Sequence, residues 1–445
     1  MLIFVPMLLR LLLFSLSFLP LCAQAAELQR ASFDNGVRLI VEEDHSAPVA
    51  IIETWLEVGG RDELPGKTGL AHVFEHMMFK GSKKLGPGEF SKRIAAIGGK
   101  DNAFTATDFT AYFEIIPAES VGEVLELEAE RFANLRLSAE EFAKEIEVIK
   151  EERRLRYEDD PNNRMFEELA AVALRLHPYR NPVIGWMQDL ERLSIDDVRA
   201  FFKRHYVPSK MIVVVVGDVD FNEVKKQVGK SFGKLKARDA EPRFNPVEPP
   251  PLGPKRVQVR LKAQLPLLAL TMPVPVWQPG ENDREVAALA VATQVLSGGR
   301  SALMQRELVD RQRLAFSASA YYDPFGMGLD LWTVSAALGR NQDPDAFETA
   351  FWKLVNELGE KGPSEKQLAS VKRRVIASEV FAQDSVYMRA RQIGQLEAVG
   401  IGADKRDAWL EAVRQVTAED VRAAISSWLK PARTTVGLLV PEASS

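Results

Sequence analysis

His72, Glu75 and His76 stand within five residues in the apolar, helix-forming run Gly69-Leu-Ala-His-Val-Phe-Glu-His-Met-Met-Phe-Lys-Gly81. Positions i and i+4 of a helix share a face, so both imidazoles can reach one metal ion. Glu75 precedes the second histidine on the same side, close enough to handle a water on such an ion. The order His-x-x-Glu-His inverts the common His-Glu-x-x-His zinc signature. With only five histidines in 445 residues, chance rarely produces this spacing. A pair of polar residues lining a core helix is the bland alternative, and the metal reading outweighs it.

A catalytic zinc site wants three protein ligands and a fourth position left open. A second helix can supply the third. Glu141 to Arg154 carries Phe142, Ile146 and Ile149 on one stripe. Glu145 and Glu152 lie seven residues apart on it, two turns, and so share a face, whereas Glu151 is rotated by about 100°. A third stretch, Gly98 to Glu114, reads as a strand of alternating character after the active-site helix, with Gly98-Gly99 marking the turn.

Together these motifs resemble the M16 peptidase family, which includes insulin-degrading enzyme, the mitochondrial processing peptidase and many bacterial zinc proteases. The resemblance implies that Glu152, 76 residues after His76, is the third ligand, and that Glu145 supports the site without touching the metal. It also implies that Asn102, Ala103, Phe104 and Thr105 form a sheet edge beside the zinc, where a substrate peptide adds as an extra strand through backbone hydrogen bonds. Phe104 and Tyr112 would serve equally well as core. The expected activity is that of a zinc-dependent endopeptidase acting on peptides or unfolded segments. Zn2+ would activate a water and polarise the scissile carbonyl, with Glu75 shuttling the proton. A non-catalytic scaffold or binding subunit is the rival reading, although such relatives usually lose a metal residue and this chain keeps all of them. Manganese or cobalt could use the same ligands, but two imidazoles and a carboxylate suit zinc.

The elements that must position these residues are duplicated. Ser194 to Gly217 is echoed by Thr417 to Val440, with Asp197 and Asp420, Arg199 and Arg422, and Pro208 and Pro431 each 223 residues apart. Each copy is a capped helix, a proline break and a β-branched strand. A period this long means duplicated domains rather than a solenoid. The fold class expected is α+β: two homologous domains, each a mainly antiparallel sheet with helices packed on one face. The boundaries follow from composition: a signal peptide over 1–25, a catalytic domain over 26–236, a proline-rich linker over 237–256 and an inactive domain over 257–445. Sliding the histidine motif onto Leu289-Ala-Val-Ala-Thr-Gln-Val295 puts Val291, Gln294 and Val295 where ligands and base would stand.

In the family, the second domain type contacts substrate through an Arg and a Tyr seven residues apart. Here Val309 and Phe316 take those positions, while Arg311, Arg313 and Tyr321 lie nearby out of register. The resemblance therefore implies the catalytic subunit of a two-subunit clamshell, paired with an inactive subunit that carries the Arg/Tyr pair. A homodimer is the alternative.

Leu11 to Cys22 is apolar and precedes Ala23-Gln-Ala25, an Ala-x-Ala cleavage site, which points to export, in a bacterium to the periplasm. Residues 2–22 would also suffice for an uncleaved anchor. Cys22 is the single cysteine, so disulfides play no part. A net charge of −5 and a pI near 5.8 give no case for nucleic acid. The basic clusters Arg153-Arg154-Leu-Arg156 and Lys372-Arg373-Arg374 read as solvated helix faces. His45, His177 and His205 read as structural.

Overall fold

The computed structural model describes residues 27–442; the signal segment lies outside the described residues. β-Branched and apolar runs form two mixed sheets. The first contains β1 (Gln29–Ser32), β2 (Arg38–Glu43), β3 (Val49–Leu56), β4 (Lys100–Thr105), β5 (Thr110–Pro117) and β6 (Met211–Gly217), in the order β1-β2-β6-β3-β5-β4. The second contains β7 (Lys255–Leu261), β8 (Leu267–Val274), β9 (Ser317–Tyr321), β10 (Asp330–Ala337) and β11 (Thr435–Pro441), in the order β7-β11-β8-β10-β9. Each has one parallel pair, β2 with β6 and β7 with β11, and the other pairings are antiparallel. The orders match strand for strand once β1 is set aside, with β4 and β9 as corresponding edges.

The repeat is visible in the caps. Helix Ile195–His205 starts at Ser194 with Asp197 completing a capping box, and helix Ala418–Trp428 repeats this with Thr417 and Asp420. A single turn at Pro208–Lys210 or Pro431–Arg433 then leads into β6 or β11. Residues 237–254 between the halves form no helix or strand, as their proline content requires.

The main helical layer covers one face of each sheet. One further helix from the opposite half covers each reverse face. Helix Pro161–Ala173 lays Met165 and Leu169 on Ala269 and Leu439 of the second sheet. Helix Val386–Ala398 lays Ala390 and Ile393 on Ile51, Trp55, Ile212 and Val214 of the first. Its Gly394 lies flush against the Trp55 indole, and a Cβ there would come within 2.0 Å of the ring. The halves are thus interlocked rather than tethered by the linker alone. Among the described residues, no helix is long and apolar enough to cross a membrane.

Gly98 to Glu114 is not one strand but a hairpin, β4 and β5, closed where the Ala106 amide donates to the Phe109 carbonyl. The break falls at Thr107-Asp108, where the Asp108 carboxylate turns inward to Arg61 and Tyr179. The edge strand β4 is therefore short and free on one side.

Candidate metal centre

The histidine helix, Leu70–Met77, begins at Gly69, whose left-handed φ of 87° and lack of a Cβ let the loop at Ile184–Gly185 lie directly against it. Glu63 caps it from outside, accepting hydrogen bonds from the Gly69 amide at 2.8 Å and the Ala71 amide at 2.7 Å. Leu70, Val73, Phe74 and Met77 point into the core, which turns His72, Glu75 and His76 to the cleft. Across it runs the glutamate helix, Ala139–Arg153, anchored by Phe142, Ile146 and Ile149.

The two helices bring the predicted ligands together. Glu152 Oε2 lies 3.7 Å from His72 Nε2 and 3.5 Å from His76 Nε2. Ligands about 2.0–2.1 Å from a tetrahedral ion stand about 3.4 Å apart, so this donor set fits zinc with little adjustment. Among the described residues, these three are the group of His, Cys, Asp or Glu side chains poised to hold a metal ion. Glu151 instead points outward to Arg154.

Glu145 sits behind the ligands: its Oε1 is 2.9 Å from His76 Nδ1, and its Oε2 is 2.5 Å from Lys80 Nζ. A carboxylate on the far nitrogen fixes the ring so that Nε2 faces the ion. Burial opposes a charged His76, but its bonds to Glu145 and Glu152 outweigh that and raise its pKa to about 9. Burial, with the neighbouring His76 charge, pushes His72 down to about 4, leaving it neutral and ready to ligate. His72 has no such support; its Nδ1 is buried without a hydrogen-bond partner. Burial also raises the Glu75 carboxyl above its ordinary range, partly opposed by a short hydrogen bond from the Thr105 hydroxyl to Oε2.

Thr105 ends β4, so the sheet edge lies directly beside Glu75. Asn102, Ala103, Phe104 and Thr105 all border a cleft of about 760 Å³ shared with the three ligands, its far wall formed by Val148, Leu155 and Ile184. Their side chains divide between the faces. Thr105 turns to Glu75, whereas the Phe104 ring turns to the reverse face, edge-on to Trp55 and under the Arg391 guanidinium at 3.9 Å. Phe104 thus offers the cleft its backbone, and Tyr112 is core.

Arg153 corrects the reading of its cluster as a solvated face. It is buried and makes a two-pronged pair with Glu167, at 2.8 and 3.1 Å, one residue after Glu152. Glu167 lies on the helix that crosses to the second sheet, so the interlock also pins the end of the glutamate helix. The only advance signal was an Arg amid acids, which cannot announce a partner on another helix. His45 lies on the surface beside Asp218, and His177 and His205 are buried without lining the cleft.

Residues 38–186 match the sequence profile of Insulinase (Peptidase family M16), and residues 192–375 match that of the Peptidase M16 inactive domain. The chain belongs to the M16 peptidase family. It is 33% identical over 297 residues to the zinc protease PqqE of Helicobacter pylori, a match spanning 66% of each chain. It is 27% identical to an uncharacterized zinc protease of Streptomyces coelicolor, over 94% of this chain and 91% of that one. A solved protease from Helicobacter pylori superposes with a TM-score of 0.86 at 27% identity, over 94% of this chain and all of that one. The periplasmic protease PqqL from Escherichia coli shares the fold, with a TM-score of 0.77 at 19% identity; 93% of this chain covers 48% of that one. The M16 fold of this chain thus carries a cleft in its first half that fits a zinc ion.

Proposed function

We propose that this protein is a zinc-dependent endopeptidase that cleaves peptides or unfolded polypeptide segments. The observation that carries the reading is the convergence of His72, His76 and Glu152 beside a buried carboxylate and a free sheet edge. Zinc held by these three residues would supply a Lewis acid for the scissile carbonyl and acidify a water. Glu75 is the general base: Thr105 occupies Oε2, leaving Oε1 to accept the water proton and later return it to the leaving amine. Glu145 orients His76, and Lys80 balances its charge. The backbone of Asn102 to Thr105 aligns the substrate as an added strand.

The cleft opens to solvent, and Val309 and Phe316 replace the expected Arg/Tyr pair. Val309 sits in the π-helical segment Gln305–Arg311, and the Phe316 side chain is exposed. We therefore read the chain as the catalytic subunit of a clamshell, completed by an inactive M16-like subunit, and as exported to the periplasm on the strength of residues 1–25. The test is peptide cleavage by the purified chain, with and without such a subunit, after chelation and after zinc return. Cleavage should require zinc and rise about 10²-fold with the partner, the usual cost of incomplete alignment. Full activity from a stable homodimer, seen by light scattering, would defeat the partner proposal. Cleavage that survives chelation would defeat the zinc mechanism.

A further inference from the structure

The segment 181–186 is shared by two hollows. Val183 and Ile184 line the zinc cleft, while Asn181 and Trp186 line a second cavity of about 700 Å³. The rim of this cavity is apolar and open: Leu64, Leu176 and Phe244 are 56%, 59% and 71% exposed. Its charges are unbalanced. Each of the four acids that line it is already committed. Glu63 caps the histidine helix, Asp62 pairs with Arg243 at 2.7 Å, Asp189 accepts from the Thr68 hydroxyl at 2.6 Å, and Glu241 pairs with Arg204 at 2.6 Å.

The cations are not all committed. Lys210, only 4% exposed, has no carboxylate within ion-pair distance among the described residues, and neither do Arg175 and Arg180 at the mouth. Burial pushes the Lys210 pKa down, partly opposed by the fields of Asp62, Glu57 and Glu241, none of which reaches ion-pair distance. A largely buried ammonium with no direct ion-pair partner is costly to keep charged, and an anion bound against it would offset that cost.

We infer that this cavity is a second binding site of the enzyme, taking a part of the substrate chain in which an acidic side chain neighbours a large apolar one. The apolar side chain covers Leu64, Leu176 and Phe244, and the carboxylate reaches Lys210 past Arg180. The segment 181–186 is a wall common to both hollows, with Val183 and Ile184 on the zinc cleft and Asn181 and Trp186 on this cavity, which places the two sites side by side. This inference rests on the peptidase reading for the identity of the occupant, whereas the charge preference stands on the cavity alone.

The test uses the zinc-loaded Glu75→Gln protein and two labelled peptides that differ only in Glu-Leu against Gln-Leu. The Glu peptide should bind about tenfold more tightly at low salt, equivalent to about 1.4 kcal/mol, with the preference shrinking as ionic strength rises. Lys210→Gln should bring the ratio close to one. Arg180→Gln, at an exposed position where folding is not at risk, should lower it in the same direction. Equal affinities for the two peptides, or a preference that survives both substitutions, would overturn the inference. So would a preference abolished by amidating the peptide C-terminus, which would assign the site to a terminal carboxylate, or peptide binding lost on self-association, which would assign the rim to a second copy of the chain. If Glu75→Gln still cleaves peptides, Glu75 is not the base, and the charge preference is then read from the ratio of cleavage rates; a wild-type chain that cleaves neither peptide while the charge preference persists would defeat the peptidase reading alone.

Discussion

In the first half, the helix packed on Ile195–His205 presents His72, Glu75 and His76. In the second, helix Asp283–Ser297 packs on the duplicated Ala418–Trp428 and presents Val291, Gln294 and Val295. Val291 and Val295 are buried, and Gln294 is exposed. Counting from their caps, Ser138 and Ser364, the places of Glu145 and Glu152 fall to Val371, which is buried, and Ser378, which is exposed. The second half therefore builds the same architecture with no acid or imidazole at any of these five places, and fills three of them with buried valines. The architecture is thus built in the second half without acids or imidazoles at these places, whereas the first half places polar groups there, which are costlier to bury than valine.

If that contrast holds, Glu152→Ala should abolish zinc binding and with it activity, while leaving a cooperatively folded chain. Glu151→Ala should retain zinc, because its side chain faces Arg154. Metal analysis with thermal unfolding of both variants checks this; equal zinc contents would sink the Glu152 assignment, and a loss confined to Glu151→Ala would mean that the glutamate helix is rotated from the position described.

The next effect concerns the interlock. Glu167→Ala leaves the Arg153 guanidinium buried and unpaired, and should cost about 3–5 kcal/mol of stability in denaturant unfolding. A loss under about 1 kcal/mol, the value of an exposed pair, would show that water reaches Arg153 and that the crossing helix does not anchor the ligand helix.

A smaller effect sharpens the comparison between the reverse faces. At matching places opposite the duplicated strands, Glu53 faces Val214 and Ala269 faces Gly437. Burial raises Glu53 to about 8, with the Trp55 indole N–H at 2.7 Å and Arg391 opposing it. The folded pKa lies above the unfolded one, so the stabilising proton is fully bound below about pH 4.5 and lost as pH rises through about 8. Wild-type stability should fall across that window by up to about 1.4 kcal/mol per pH unit relative to Glu53→Gln. Parallel urea midpoints for the two proteins at pH 5 and pH 8 would contradict this.

The grouping of His72, Glu75, His76, Glu145 and Glu152 was legible in the sequence because it is local. Three residues on one helical turn and two acids two turns apart need only helix periodicity to be placed, and the spacing of Asp197 to Asp420 and Pro208 to Pro431 exposed the duplication. What the sequence withheld depends on which surface an apolar stripe meets. Met165 and Leu169, or Ala390 and Ile393, announce an amphipathic helix without saying that it crosses to the other half. The burial of Arg153 and the turning of Phe104 to the reverse face follow from those crossings. The Lys210 cavity is assembled from loops far apart in the chain and has no periodic signature at all.

The most direct test of the account is Glu75→Gln, with zinc content and peptide cleavage measured on the same sample. The amide keeps the shape of the carboxyl and leaves His72, His76 and Glu152 in place, but it cannot accept the water proton. The account predicts wild-type zinc content and a rate at least ~10²-fold lower. Wild-type zinc content with a rate near that of the parent would show that Glu75 is not the base.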